Sequence, residues 1–412
     1  MSSVFLKNLF FNNISQGLQF GSRWFFNLIL ITVLSDVNFG IFAYAIALSN
    51  ILIPILPFGS PVYLIGFVSP KNKNLILADS LAILISFSLV ALFLYVCLLP
   101  FKIEYYHVLF YGLILGFLYA LNTILYFYFK SLGKFLEEIK ASFLSFILIL
   151  IFIGYNFFFQ NKITDVTLIL VLLIFINLCV TLYLFLFSKY INVRKIFQNL
   201  KQSFQNLPNL IKARMYFGLQ EIMGASYSQL GMFVLFYFLI EERYAAYRKM
   251  FIIIAPIYLL SVTFSQVLLH HLKNYYGKSV IIEFRKYQKY TIVGAIIVTA
   301  LLYFFREFLL ETLGKLNFTE NINNAFIIVI IVCFVRFLYG NYEMLLVKID
   351  KQKSRFWIML IAGIANVLSI VILVPKFDLM GAVFTDIISN LVVLFGVMII
   401  SERTIRKSTQ ID

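Results

Sequence analysis

The chain has 412 residues, 62% of them hydrophobic and only 13% charged, with a net charge of +15 and a mean hydropathy of +0.92. A soluble domain carries about 25% charged residues, so this composition excludes a soluble globular protein and makes the chain a polytopic membrane protein. Its three cysteines, Cys97, Cys179 and Cys333, all sit in apolar runs, which argues against a disulfide framework or a zinc site.

A bilayer core takes about 20 apolar residues per helix. Twelve runs of that kind follow one another along the chain. The first six are 12–34, 39–68, 75–99, 106–130, 139–159 and 165–188. A basic connection, 189–213, separates them from 214–240, 244–271, 288–310, 322–347, 355–374 and 379–400. No cleavable leader is expected, because no small-residue cleavage site lies between Lys7 and the first run. Pro54, Pro57 and Pro61 predict a broken second helix, and Pro256 predicts a kink in the eighth. The predicted architecture is all-α, with an N-lobe over 1–200 and a C-lobe over 201–412, six helices each. The two halves show a weak parallel repeat: "LSDVNFGIFAYA" (34–45) lies against "LIEERYAAYRKM" (239–250), an acidic turn opening into a long helix in both.

Lys and Arg set the expected orientation. Of the 34 bases, 24 fall on the side of the N-terminus, six on the opposite side, and four inside the runs. Both termini are therefore expected in the cytoplasm. The positive charge reads as a topology signal, and no nucleic-acid partner is needed to explain it.

The four bases inside runs are Arg23, Arg248, Lys249 and Arg336. On the first helix Asn12, Gln16, Gln19, Arg23 and Asn27 share one face. A packing stripe is one reading. A base at mid-span costs about 2.5–3.5 kcal/mol on insertion scales, which favours the wall of a water-filled cavity. On the eighth helix Tyr244, Tyr247, Arg248 and Phe251 share a face. Arg248 is expected in a cavity. Lys249, rotated by about 100°, is expected nearer the rim, in reach of Glu241 or Glu242. Arg336, Gly340 and Glu343 are spaced for an internal ion pair on the tenth helix. Asp386 and Glu221 could bind a coupling proton or sodium ion or pair with Arg23 or Arg248, and the pattern leaves both open. Adjacent His270 and His271 point to different faces and suit interfacial anchoring better than a metal. No phosphate-binding loop or catalytic signature occurs, so neither an enzyme nor an ATP-driven pump is expected.

Three stretches carry a resemblance: "LSDVNFGIFAYAIA", "YAAYRKMFIIIAP" and "IANVLSIVILVPKFDLMGAVFTDIISNLV" (364–392). The last is similar to a family pattern L-x-P-x-[FY]-G-[IL]-x-G-A, with Asp378 where glycine is usual and Gly381–Ala382 retained. The chain resembles the multidrug/oligosaccharidyl-lipid/polysaccharide (MOP) exporter superfamily, specifically its Wzx-type O-antigen and polysaccharide flippases. That resemblance implies two six-helix lobes around a V-shaped central cavity. It implies alternating access and undecaprenyl-pyrophosphate-linked oligosaccharides carried from the cytoplasmic to the periplasmic leaflet of a bacterial inner membrane. Glycan polymerase and assembly proteins are the implied partners, with membrane lipid around the chain. The related lipid II flippases place arginines in helices one and eight, where Arg23 and Arg248 stand. The substrate-binding set expected on these grounds is Arg23, Arg248, Gln16, Gln19, Asn27, Tyr244, Tyr247, Lys249 and Arg336. Asp386, Glu221 and Glu343 are coupling-ion candidates, and no cofactor or metal is expected beyond a coupling proton or sodium ion. The lipid II flippases commonly have two more C-terminal helices, so the O-antigen type is favoured over them. A cation-coupled drug exporter of the same superfamily, disfavoured by a basic cavity, and a lipid II flippase are the alternatives. A membrane glycan polymerase or ligase is disfavoured by the short external connection at about 306–321.

Overall fold

Helix α1 (Ser3–Val33) ends where Ser35 caps the next helix: its side chain accepts a hydrogen bond from the Asn38 N–H at 3.3 Å, and Asp36 occupies the first turn of α2 (Asp36–Ile55). The acidic turn read from "LSDVNF" is thus a helix start. The computed structural model describes residues 3–69, 71–101, 104–158, 164–187, 190–225, 231–272, 275, 278–349 and 351–410. Cα packing groups them into two units, Met1–Gln229 and Leu230–Asp412.

In the first unit the second run is broken, as its prolines predict. Helix α2 stops at Ile55, and α3 (Ser60–Phe67) restarts after Phe58 and Gly59, whose φ angles are +42° and +73°. Helices α4 (Lys73–Cys97), α5 (Tyr106–Ser131), α6 (Phe135–Phe158) and α7 (Val166–Leu182) follow, α7 running on into a π-helical turn over Tyr183–Phe187. α2 lies close against α5 because the approach is lined by small residues: a Cβ on Gly112 would sit 2.7 Å from the Ala45 carbonyl oxygen. α1 packs on α6, and α5 on α7.

The basic connection after the sixth run is a helix rather than a loop. α8 (Val193–Gln205) is amphipathic and packs on α4, with Asn192 capping it through the Lys195 N–H. Its alternation of bases with Ile196, Phe197 and Leu200 reads as polar when averaged and as two-faced when wound at 3.6 residues per turn. α9 (Leu207–Ala225) starts well before residue 214 and packs on α2, α3 and α4.

The second unit holds α10 (Gly231–Leu235), α11 (Glu241–Leu272), α12 (Lys278–Phe304), the short α13 (Arg306–Phe308), α14 (Glu320–Lys348) and α15 (Gln352–Gln410). α14 is central, packing on α11, α12 and α15. α15 bends at Asp378, at φ +50° and ψ −127°, into arms 352–377 and 379–410. Among the described residues seven spans are long and apolar enough to cross a bilayer, the last containing both arms of α15. Among the described residues each of the twelve runs lies mainly on helix, the second interrupted at 56–59 and the seventh helical in part. The chain is an all-α, multi-pass membrane protein.

Candidate functional site

The first unit contains a cavity of about 210 Å³ walled by α1, α2, α5, α6 and α7. Arg23 reaches it from α1, with its guanidinium carbon 4.4 Å from the centre of the Tyr119 ring on α5. Asn27 lies one turn on. Asn122 and Asn177 complete a polar wall: Asn122 Nδ2 donates to the Asn177 carbonyl at 3.3 Å, and Thr181 Oγ1 donates to Asn122 Oδ1 at 2.8 Å. Arg23 is the one charged side chain among the described residues that line the cavity, and it makes no ion pair among them. Face-stacking on a ring leaves the guanidinium N–H edge available to an acceptor. The cavity therefore offers a forked cationic donor beside neutral amides and phenols.

A second polar cluster lies in the second unit. The Tyr247 hydroxyl on α11 donates to Asp386 Oδ2 at 2.6 Å, on the second arm of α15. Arg336 Nε and the Tyr339 hydroxyl both donate to Asn390 Oδ1, at 3.1 and 3.2 Å, and Asn390 Nδ2 donates to the Asp386 carbonyl at 2.7 Å. Arg336 also stacks over Tyr258, 4.5 Å from its centre. Tyr247, Asp386 and Arg336 are thereby brought to one place, and Asp386 has a tyrosine as its hydrogen-bond partner.

Arg248 is buried. Its Nη1 contacts the Met232 sulfur, a weak acceptor, and its Nε has no hydrogen-bond partner. Tyr244 is buried too, its ring edge-on to Phe236 at 5.2 Å and its hydroxyl without a partner. Lys249 corrects an expectation: it is 1% exposed against 9% for Arg248, so it is no rim residue. Two helical turns separate it from the helix start at Glu241, and that places the whole of 244–250 inside the packed unit. The spacing of Arg336 and Glu343 does not produce an ion pair between them. Glu343 pairs with Arg355, 3.5 Å away on the first arm of α15, while Arg336 turns toward Asn390.

Arg214, counted from the sequence among the flanking bases, is 1% exposed. It donates to Ser60 Oγ at 2.7 Å and Ser80 Oγ at 3.0 Å, stacks over Tyr63 at 4.5 Å, and lies near Asp79. Two turns along α9, Glu221 accepts a hydrogen bond from the Gly59 N–H at the break between α2 and α3, leaving its Oε2 buried without a partner. The sequence reading also missed the amide networks. Asn341 Nδ2 donates to Gln288 Oε1 at 2.8 Å and to Thr291 Oγ1 at 2.7 Å, and Ser265 donates to Asn341 Oδ1 at 3.0 Å. The available signal was a lone asparagine in an otherwise apolar span, as at Asn122. The side chains of Gln16, Gln19, Asn12, His270 and His271 lie outside the described residues.

The arrangement of helices and buried polar clusters defines the chain as a polytopic helical membrane protein with the fold shared by MATE transporters and the lipid II flippase MurJ. Three solved structures carry that statement. A multidrug resistance MATE family transporter of the MOP superfamily, inward-facing, matches with a TM-score of 0.66 at 15% identity, over 97% of this chain and 95% of its own. MurJ in an inward closed conformation matches with a TM-score of 0.67 at 16% identity, over 93% and 86%. A MOP superfamily transporter from Pyrococcus furiosus, described as having a binding pocket of reverse polarity, matches at 0.52 and 13% identity, over 96% and 94%. No family model and no curated protein matches the sequence.

Proposed function

We propose that the chain is a flippase for polyprenyl-pyrophosphate-linked oligosaccharides, moving them from the cytoplasmic to the periplasmic leaflet of a bacterial inner membrane by alternating access. The observation that carries this reading is the cavity of the first unit, in which the guanidinium of Arg23 is the one charge among the described lining residues. A pyrophosphate crossing a low-dielectric region needs its hydration replaced, and an arginine fork does that with paired charge-assisted hydrogen bonds. Asn27, Asn122 and Tyr126 supply the amides and phenol that suit sugar hydroxyls. The likeness to a lipid II flippase supports a lipid-linked anionic substrate. Arg248, buried with a spare N–H, is the corresponding base of the second unit. We assign Asp386 as the coupling-ion group in preference to Glu221 and Glu343. It is hydrogen-bonded to a tyrosine in a polar cluster, whereas Glu343 is engaged by Arg355 and Glu221 by a backbone N–H.

A multidrug exporter is the second reading, favoured by the likeness to a multidrug resistance transporter. The two part in one experiment. The protein is placed in vesicles with a fluorescent polyprenyl-pyrophosphate oligosaccharide, and the labelled sugar reaching the far leaflet is measured beside uptake of a cationic dye. Arg23→Ala is expected to slow sugar-lipid transfer at least about tenfold at equal protein level, with partial recovery in Arg23→Lys, which keeps the charge and loses the fork. Dye uptake without sugar-lipid transfer would replace the flippase by the exporter.

A further inference from the structure

α5 turns two faces outward. One, with Tyr119, Asn122 and Thr123, lines the Arg23 cavity; the other, with Phe117 and Leu121, lines a separate groove. That groove, about 310 Å³, lies between α4, α5, α7 and α8, and every residue lining it is apolar, among them Leu81, Leu182, Phe185 and Phe197. Its volume falls in the range of small-ligand pockets, about 300–1,000 Å³. Two of its walls continue into exposed apolar surface. Leu186, in the π-helical turn, is 67% exposed and Phe197 on α8 is 68% exposed. The groove opens beside α4, α5 and α7, each long and apolar enough to cross a membrane.

α8 supplies the second observation. It carries Arg194, Lys195 and Lys201, all exposed, and no acid over its whole length. Ile196 and Ser203 hold its inner face, Ser203 Oγ donating to Asp79 Oδ1 at 2.7 Å, so that its bases line the outer side. A basic amphipathic helix beside an apolar groove is complementary to a molecule with a negative head and a hydrocarbon tail.

We propose that the α4–α5–α7–α8 groove is a binding site for one acyl chain of an anionic phospholipid of the leaflet on the α8 side, with Arg194, Lys195 and Lys201 holding its phosphate headgroup. This site shares no lining residue with the Arg23 cavity. It rests on the membrane fold and is independent of the flippase reading.

The full chain is assembled into nanodiscs of phosphatidylglycerol and phosphatidylcholine in equal amounts, released, and weighed by native mass spectrometry. One phosphatidylglycerol is expected to stay with each chain when the remaining lipid is stripped. Each base near an anionic lipid surface is worth about fivefold, so R194Q/K195Q/K201Q is expected to lower the ratio of retained phosphatidylglycerol to phosphatidylcholine at least about tenfold. Leu200→Trp, which fills the groove, is expected to abolish retention of both lipids. Phe197→Ala, which removes an exposed wall of the groove, is expected to lower retention of both lipids without crowding the helix packing, and helical circular dichroism and monodisperse elution confirm folding. Equal retention of the two lipids by the natural chain, or unchanged retention in the triple variant and in Phe197→Ala, overturns the site. Displacement of phosphatidylglycerol by an equal amount of undecaprenyl phosphate overturns the assigned occupant in favour of a prenyl tail.

Discussion

Asp378 sits at φ +50° and ψ −127°, a backbone region that favours glycine, at the position where the resembled pattern carries glycine. An L-residue held there stores about 1–3 kcal/mol of strain. Its side chain returns a little: Arg243 Nε lies 3.3 Å from Asp378 Oδ2, but the two side chains are 42% and 55% exposed, and such a screened pair is worth about 0.2–1 kcal/mol. Asp378→Ala loses the ion pair and keeps the strain. Asp378→Gly loses the same ion pair, relieves the strain, and adds about 0.5–1 kcal/mol of chain entropy to the unfolded state. The difference between the two variants cancels the ion pair and leaves Gly ahead of Ala by about 1 kcal/mol, the reverse of the usual order inside a helix. In a chain of this size that is a melting shift of about 2 °C or less, so the unfolding half-life in detergent at fixed temperature is the better measure. An Ala variant that outlasts the Gly variant would refute the assignment of strain to this bend.

Gly218→Ala drives a Cβ to within 2.8 Å of the Phe58 ring, and overpacking of that order costs about 1–3 kcal/mol; a lower melting temperature with intact helical content is expected, and no change would mean that α9 can lift from the α2–α3 break. Lys249→Ala truncates a side chain that is 1% exposed, and the expected result is loss of folded protein on size-exclusion chromatography, where a rim residue would show none. Tyr247→Phe removes the hydrogen bond to Asp386 and is expected to change the ion dependence of sugar-lipid transfer in vesicles while leaving protein yield intact; an unaltered ion dependence in both Tyr247→Phe and Asp386→Asn would make the pair structural.

The helices were legible because apolar runs of bilayer length admit few other readings, and the prolines of the second run marked its break. The gap between the runs 355–374 and 379–400 marked the break in α15, whereas Asp378 was legible only as a departure from a pattern, and its positive φ is seen in the structure alone. What a linear reading lost depends on winding. α8 averages as a basic connection, and only its three-dimensional partners, α4 and Asp79, show which side is buried. Arg214 was counted with the flanking bases because flanking sequence says nothing of Ser60 and Ser80, which come from α3 and α4. Glu343 was matched to Arg336 by spacing along one helix, yet Arg355 reaches it from the next. Helical periodicity ranks neighbours on a single element and is silent about neighbours across elements.

Three arginines at different depths, Arg23 exposed, Arg336 half-buried and Arg214 buried, share one support. Arg23 stacks on Tyr119, Arg214 on Tyr63 and Arg336 on Tyr258, each about 4.4–4.5 Å from the ring centre. A carboxylate partner would occupy the guanidinium edge, where all five N–H donors lie; a ring occupies the face and contributes about 0.5–1 kcal/mol at an exposed site such as Arg23 and about 2 kcal/mol at a desolvated one such as Arg214. The edge is then free to be matched to something else. At Arg214 it meets two serine hydroxyls of the same unit, and at Arg336 an asparagine oxygen, so both are fixed parts of the packing. At Arg23 the edge opens on a cavity lined by amides and phenols. The same stacking therefore leaves the edge to packing partners in two cases and facing a cavity in the third. On this argument the tyrosines are a requirement of the cation sites, and a cavity base held by a ring is better suited to a passing anion than one already neutralised by an acid.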